Sequence, residues 1–357
     1  MIKVAFITRS TLYSVPGGDT IQAVQTARHL TFMGIRAEIK LANESINYNS
    51  YDLLHFFNLS RPADILYHSY KAEKPFVVST IMCNYSEYDQ QHRNGLGRLL
   101  KYLPADGVEY VKTMARYLLG RDSMASLAYT WKGQRKSILD ILGRAAMILP
   151  NSQSEYQRVV NNYPGEVKHM VVPNGTDQHL FIYDKNVIKD DKLVICAARI
   201  EGIKNQLNLI KALNNTPYRL LLIGSYSPNQ FAYYQECRRI AASNIIFIEQ
   251  MPQQQLVKYF ARAKVHVLPS WFETTGLSSI EAALMGCNVA ISDKGDVREY
   301  FGDDAFYCHP ASTESIFAAI EKASQAPVNE QLRDRILQKY TWKQAATETL
   351  KAYQSVL

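Results

Sequence analysis

Residues 268–291 read LPSWFETTGLSSIEAALMGCNVAI. Just before them, Val265-His266-Val267-Leu268 reads as a buried strand closed by Pro269. Ser270 to Thr275 form a polar loop, Ser278 to Met285 a helix of small and apolar residues, and 288–291 a second short strand after Gly286. A strand, a loop, a helix and another strand are the repeating unit of a parallel sheet covered by helices. The helix start offers unpaired N–H groups and partial positive charge, where phosphates settle. Gly276 lets the backbone approach such a ligand closely. Glu273 lies in the loop before that point and Glu281 about one turn inside the helix. An ionised carboxylate only accepts hydrogen bonds, so each suits a pair of sugar or ribose hydroxyls. The spacing of the two glutamates carries nothing by itself; its place between strand and helix implies a site for a nucleotide that carries a sugar.

The same rhythm runs through the chain. Strands are expected at 2–8, 35–41, 51–57, 75–80, 145–149 and 167–172, with helices at 20–33, 62–72, 97–119, 123–143 and 152–161. Further strands are expected at 193–198, 218–223, 245–248, 264–268, 288–291 and 305–308, with helices at 203–213, 229–242, 253–263 and 277–286. Two βαβα runs imply two Rossmann-like domains. The stretch 173–191, rich in Pro, Gly, Asn and Asp, reads as their linker. The expected division is 1–172 and 173–340. Ligands of such sheets bind at the carboxyl ends of the strands, so two facing domains would place a cleft between them.

A chain of 357 residues, 47% hydrophobic and 20% charged, is globular and long enough for two domains. Its five cysteines are scattered without CxxC spacing, as expected for free thiols in a reducing cytosol. No apolar run reaches bilayer-spanning length, and the N-terminus enters a strand at once. A cytoplasmic protein is expected. The net charge of +7 is concentrated: residues 93–144 hold ten basic side chains and four acidic ones, with Leu, Tyr, Met and Trp interleaved. Such helices suit an anionic membrane surface, or simply present a solvated face. No nucleic-acid-binding motif accompanies them, so no nucleic-acid partner is expected.

Other candidates fall at strand ends. Arg199 and Lys204 follow the strand 193–198; two cations beside a helix start can grip a diphosphate without metal. Gly17-Gly18 follows the first strand and fits either close approach to a phosphate or sugar, or a plain turn. No D-x-D pair occurs; Glu87-Tyr88-Asp89 is the nearest arrangement, and the histidines lack ligand spacing. No metal or other cofactor is expected.

These pieces resemble, in order, the retaining glycosyltransferases of family 4, which have the GT-B fold. The resemblance rests on AARIEGIKN (197–205), LLIG (221–224), FIEQMPQQQLVKYFARAKVHVLPS (247–270) and WFETTGLSSIEAALMGCNVAIS (271–292). VVPNGTD (171–177) is similar to the family's interdomain turn, and YTWKQAATETLKAYQSVL (340–357) to its final helix, so 341–357 is expected to pack on the first domain. The resemblance covers 145–357 well and the first 60 residues loosely. It implies that Arg199 and Lys204 bind the donor diphosphate and assist its departure. Glu273 would contact the donor sugar. Thr275, Gly276 and Leu277 would line sugar and phosphates, with backbone N–H groups from the last two, and Glu281 would hold the ribose. Ile248, Gln250 and Met251 would flank the base, and Gly17 and Gly18 would face the donor from the first domain. The implied partners are a nucleotide-sugar donor and a glycan or lipid-linked acceptor.

The chain departs from the family pattern twice. The His that many members carry after the fourth strand is absent from VVSTIMCNYSEYD (77–89), which leaves Thr80, Asn84 and Tyr85 as residues without an assigned role. Thr275 stands where the E-G-F-G-L pattern has an aromatic. Two alternatives stay open: a GT-B epimerase or phosphorylase, and a scaffold subunit that binds a nucleotide sugar without turnover.

Overall fold

The structure, a computed structural model, describes residues 1–84, 87–88, 104–119, 126 and 128–357. Tyr85, Asp89, the helix starts expected at 97 and 123, and Arg93, Arg98, Lys101 and Arg121 of the basic window lie outside the described residues. The chain divides into two compact units. One comprises Met1–Met82, Asn94–Asn174 and Trp342–Leu357; the other comprises Cys83–Arg93 and Gly175–Thr341.

The first unit holds β1 (Lys3–Thr8), α1 (Gly18–Phe32), β2 (Arg36–Leu41), β3 (Leu53–Phe57), α2 (Pro62–Ala72), β4 (Phe76–Ser79), α3 (Ala105–Leu118), α4 (Ala128–Arg144), β5 (Met147–Leu149) and α5 (Gln153–Asn162). Its five strands lie in the order β2-β1-β3-β4-β5, every pair parallel. Central strands of a parallel sheet are covered on both faces, so they read as unbroken apolar runs. LLHFF of β3 is buried at all five positions. Its one polar member, His55, is satisfied at both ring nitrogens, by Tyr353 Oη at 2.6 Å and Ser79 Oγ at 2.8 Å. Tyr353 belongs to the chain's last helix, Trp342–Val356, which packs against α1.

The second unit holds β6 (Asp190–Ala197), α6 (Gln206–Leu213), β7 (Arg219–Ile223), α7 (Phe231–Ile240), β8 (Ile245–Ile248), α8 (Gln253–Arg262), β9 (Ala263–Leu268), α9 (Leu277–Leu284), β10 (Asn288–Ser292), α10 (Val297–Phe301), β11 (Phe306–Cys308), α11 (Thr313–Gln325) and α12 (Glu330–Lys339). The final helix of the chain is α13 (Trp342–Val356). The six strands are parallel in the order β11-β10-β9-β6-β7-β8. From β6 the chain builds outward to one edge through β7 and β8, then returns to β9 on the other side. The topological switch point therefore lies between β6 and β9, the place where such sheets bind ligands beyond their carboxyl ends.

Four expectations need correction. Residues 167–172 form no strand: β5 is short and ends at Leu149, and they meet it in an isolated bridge, His169 against Ile148. The helix expected over 203–213 is divided, with a 3₁₀ turn at Gly202–Lys204, then Asn205 at φ +61, then α6. The helix expected over 123–143 is broken at Gly133, whose φ is +69. The expected linker 173–191 is not all connection, because Phe181 is buried in the second unit's core and Asp190 already opens β6. Helices α10, α11 and α12 were not expected from the sequence.

Candidate functional site

The chain leaves β6 at Ala197 and turns through Arg199 and Glu201 into Gly202–Lys204. Asn205 locks the end of that turn. Its buried side-chain amide donates to Pro269 O at 3.0 Å and Pro310 O at 2.8 Å, which ties the loop after β6 to the loops after β9 and β11. Trp271 N donates to Ile203 O at 2.9 Å, a second link between the loops on either side of the switch point. The result is a direct ion pair across it: Lys204 Nζ lies 2.5 Å from Glu273 Oε1. Burial alone would lower the Lys204 pKa, and Arg199 opposes its charge, but the carboxylates of Glu273 and Glu201 outweigh both and raise it. Arg199 itself is about half-exposed and pairs with Glu201 at 3.0 Å.

Glu273 is held by its backbone as well. Its N–H donates to Lys294 O at 3.3 Å and its carbonyl accepts from Asp296 N at 2.8 Å. Beyond it, Thr275 is buried and Gly276 caps α9 with φ +72, a conformation that favours glycine. Leu277 and Ser278 then open the helix, where N–H groups have no acceptor four residues back.

Glu281 is 6% exposed, not a surface helix residue. Burial pushes its pKa up to about 8, against a hydrogen bond from Gln253 that lowers it. That bond is short: Gln253 Nε2 donates to Glu281 Oε1 at 2.5 Å. A carboxyl group mostly protonated at neutral pH can donate one hydrogen bond as well as accept. Gln253 opens α8, two residues after Met251, so the stretch Ile248–Met251 runs directly into the Glu281 contact. Met251 packs on the core, and exposed Gln250 accepts from Ser225 Oγ at 2.6 Å.

The structure thus groups Arg199, Lys204, Glu273, Thr275, Gly276, Leu277, Glu281, Ile248, Gln250 and Met251 in the second unit, and Gly17 and Gly18 in the first. Gly17 has extended backbone and precedes α1, its N–H donating to Thr20 Oγ1 at 3.1 Å. Its loop is tied by Arg9, whose guanidinium grips Asp19 at 2.6 and 3.0 Å. Sequence reasoning missed Arg9, Asn205, Gln253 and Lys294, because each acts through side-chain contacts with residues ten or more positions away that leave no local pattern. In the segment without the family's His, Thr80 has a structural partner. Its hydroxyl donates to buried Glu155 Oε1, which also accepts from Met82 N at 2.7 Å, while Glu155 Oε2 accepts from Asn151 N at 2.8 Å. Asn84 is exposed. Among the described residues, no group of three or more His, Cys, Asp or Glu could hold a metal ion.

The profile of the family "Glycosyl transferases group 1" matches residues 180–341, a span that includes Arg199, Lys204, Glu273, Gly276 and Glu281. Residues 180–341 are similar to a glycosyl transferases group 1 domain. A probable sucrose-phosphate synthase of Thermosipho melanesiensis is 27% identical over 229 residues, 58% of this chain and 53% of the relative. The O-antigen chain mannosyltransferase B of Escherichia coli is 23% identical over 239 residues, 61% of this chain and 63% of the relative. The matched region thus spans about half to under two thirds of these relatives' length. Among solved structures, sucrose-phosphate synthase of Thermosynechococcus elongatus superposes with TM-score 0.77 at 16% identity, covering 100% of this chain and 99% of the other. Anabaena HepE in complex with UDP and glucose gives 0.71 at 15% identity, covering 99% and 100%. The chain has the GT-B fold, two Rossmann-like α/β units joined in one chain.

Proposed function

We propose that this glycosyltransferase-family chain is a retaining, metal-independent transferase of family 4. It moves a sugar from a nucleotide-diphosphate sugar to a glycan or lipid-linked acceptor. The observation that carries this reading is the Lys204–Glu273 pair at the β6/β9 switch point, beside the start of α9 and with Glu281 buried one turn inside it.

Departure of a nucleoside diphosphate places negative charge on the β-phosphate oxygens. Lys204 and Arg199 supply fixed positive charge there, and the N–H groups of Gly276 and Leu277 supply donors. Such groups stabilise the charge that develops in the transition state more than the ground state. Two side-chain cations and a helix start supply the role that a divalent ion plays in metal-dependent transferases. Glu273, bonded to Lys204 through one oxygen, keeps lone pairs for sugar hydroxyls. Glu281 and Gln253 hold the ribose, and Ile248 to Met251 lie against the base.

Names among the relatives, the O-antigen mannosyltransferase and an uncharacterized protein of a Klebsiella pneumoniae cps region (24% identical over 167 residues), support work on bacterial surface polysaccharide in the cytoplasm. Exposed Leu118, Leu119 and Trp131 beside Lys112, Lys132 and Lys136 support a peripheral seat on an anionic membrane, where a lipid-linked acceptor would be met. Among the described residues no helix is long and apolar enough to cross a membrane.

The test is release of nucleoside diphosphate from a panel of UDP-, GDP- and ADP-sugars, with and without EDTA. Release that survives EDTA, with anomeric configuration kept in the transferred sugar, is expected. No release from any donor, with no nucleotide bound by calorimetry, refutes the reading.

A further inference from the structure

Two consecutive residues outside the family motifs reach both arms of the Lys204–Glu273 pair. Glu87 and Tyr88 follow β4 in sequence, yet they group with the second unit. Glu87 takes Lys294 in a two-pronged ion pair, with Nζ 3.0 Å from Oε1 and 2.8 Å from Oε2. Lys294 is the residue whose carbonyl accepts the Glu273 N–H at 3.3 Å. Tyr88 sits on the other arm. A Cβ on Gly202 would lie 1.7 Å from Tyr88 Oη, so the phenol tip rests on the α-carbon that opens the turn carrying Lys204. Only glycine leaves room for it there. Gly202 is fixed from a further direction, its N–H donating to Gln230 Oε1 at 3.1 Å.

We infer that Glu87 and Tyr88 are positioning residues for the Lys204–Glu273 pair: Glu87 sets the Glu273 loop through Lys294, and Tyr88 sets the Lys204 turn through Gly202. This rests on the transferase reading above. Neither residue needs to touch the donor. The ion pair is partly exposed, with side chains 28% and 37% accessible, so its contribution is geometric more than energetic. A displacement of the reacting groups by a fraction of a bond length lowers turnover without weakening donor binding.

The experiment measures steady-state release of nucleoside diphosphate by the full chain with a donor that the native protein turns over. Glu87→Gln and Lys294→Gln are each expected to lower kcat about fivefold, the upper range for one exposed ion pair, while donor KM stays within about twofold. The swapped pair, Glu87→Lys with Lys294→Glu, is expected to regain most of the loss. For the second arm, Gly202→Ala displaces Tyr88 and lowers kcat, but costs little more when Tyr88 is already Ala. Native kcat in both single ion-pair variants overturns the inference. So does a raised KM with kcat unchanged, which would put Glu87 on the donor itself. A swap no better than the worse single variant overturns the Glu87 half, and equal losses from Gly202→Ala in both Tyr88 backgrounds overturn the Tyr88 half. A native chain that releases nothing from any donor refutes the transferase reading, and this inference with it; a working native chain with indifferent variants refutes this inference alone.

Discussion

Lys204 Nζ and Glu273 Oε1 lie 2.5 Å apart, although 69 residues separate them in the chain. The pair spans β6 and β9, the two strands between which the order of strand addition reverses, and Asn205 and Trp271 brace the loops that carry it. A lysine here does two things. It pairs with the Glu273 carboxylate and keeps two further N–H donors, which in the proposed reading meet phosphate oxygens.

Removing that lysine should therefore affect turnover far more than donor binding. Lys204→Ala is expected to lower kcat by about 10²–10³, the range for one group that stabilises developing charge. Glu273→Gln should be read by its pH profile. Glu273 is the main group that raises the Lys204 pKa, so without it Lys204 loses its proton at lower pH. The alkaline fall in residual kcat should begin at lower pH than in the native chain. A Lys204→Ala protein of native activity would remove the role assigned here.

Glu281 gives a stability signature that needs no substrate. Its carboxyl group titrates near the ordinary value of 4.5 in the unfolded chain and at about 8 in the fold, because it is buried. The folded state holds the extra proton between those values. The contribution is fully present below pH 4.5 and is lost as pH rises towards about 8. Glu281→Gln lacks this term. Urea unfolding of the two proteins from pH 5 to 8 should show the native chain losing stability relative to the variant, by at most about 1.4 kcal/mol per pH unit. Parallel curves would mean that Glu281 is ionised in the fold.

Tyr353 should matter to the first unit out of proportion to its place near the C-terminus. Its hydroxyl is 2.6 Å from Nδ1 of His55, which is fully buried in β3 and held neutral by that burial, its pKa lowered to about 3. Tyr353→Phe strands one ring nitrogen without a partner. The expected loss is about 1–3 kcal/mol in urea unfolding, the cost of an unmet buried polar group. His55→Phe with Tyr353→Phe and Ser79→Ala should recover part of it, since none of the three polar groups then remains.

Much of this was legible in the sequence, for identifiable reasons. The inner parts of β6 and β9 are covered, so each strand shows as an apolar run, and the loop residues Arg199, Glu273 and Gly276 follow where those runs stop. Asn205 was less legible: an asparagine after lysine looks like helix continuation until its amide is seen bonded to two distant carbonyls. Glu281 was placed correctly on its helix, but its burial depends on Gln253, 28 residues away. The strand expected at 167–172 had a plausible pattern and lacked a partner of sufficient length, which only the course of β5 reveals.

The first unit's exposed aromatic and aliphatic residues give the last prediction. Trp131 is 92% exposed and Leu118 77%, a large apolar exposure for two neighbours of a basic stretch. Lys112, Lys132 and Lys136 lie on the helices that carry them. A tryptophan that enters the headgroup layer buries its ring while nearby lysines meet anionic phosphates. The full chain should therefore cosediment with vesicles of phosphatidylcholine and phosphatidylglycerol at low salt, and less so at 1 M salt, where the Debye length falls to about 3 Å. Trp131→Ser with Leu118→Ser should weaken binding at least about tenfold, the value expected for losing one large buried side chain, at unchanged net charge. Vesicles of phosphatidylcholine alone should bind weakly. Equal binding by the doubly substituted chain would leave charge as the sole attraction and remove the inserted tryptophan from the reading.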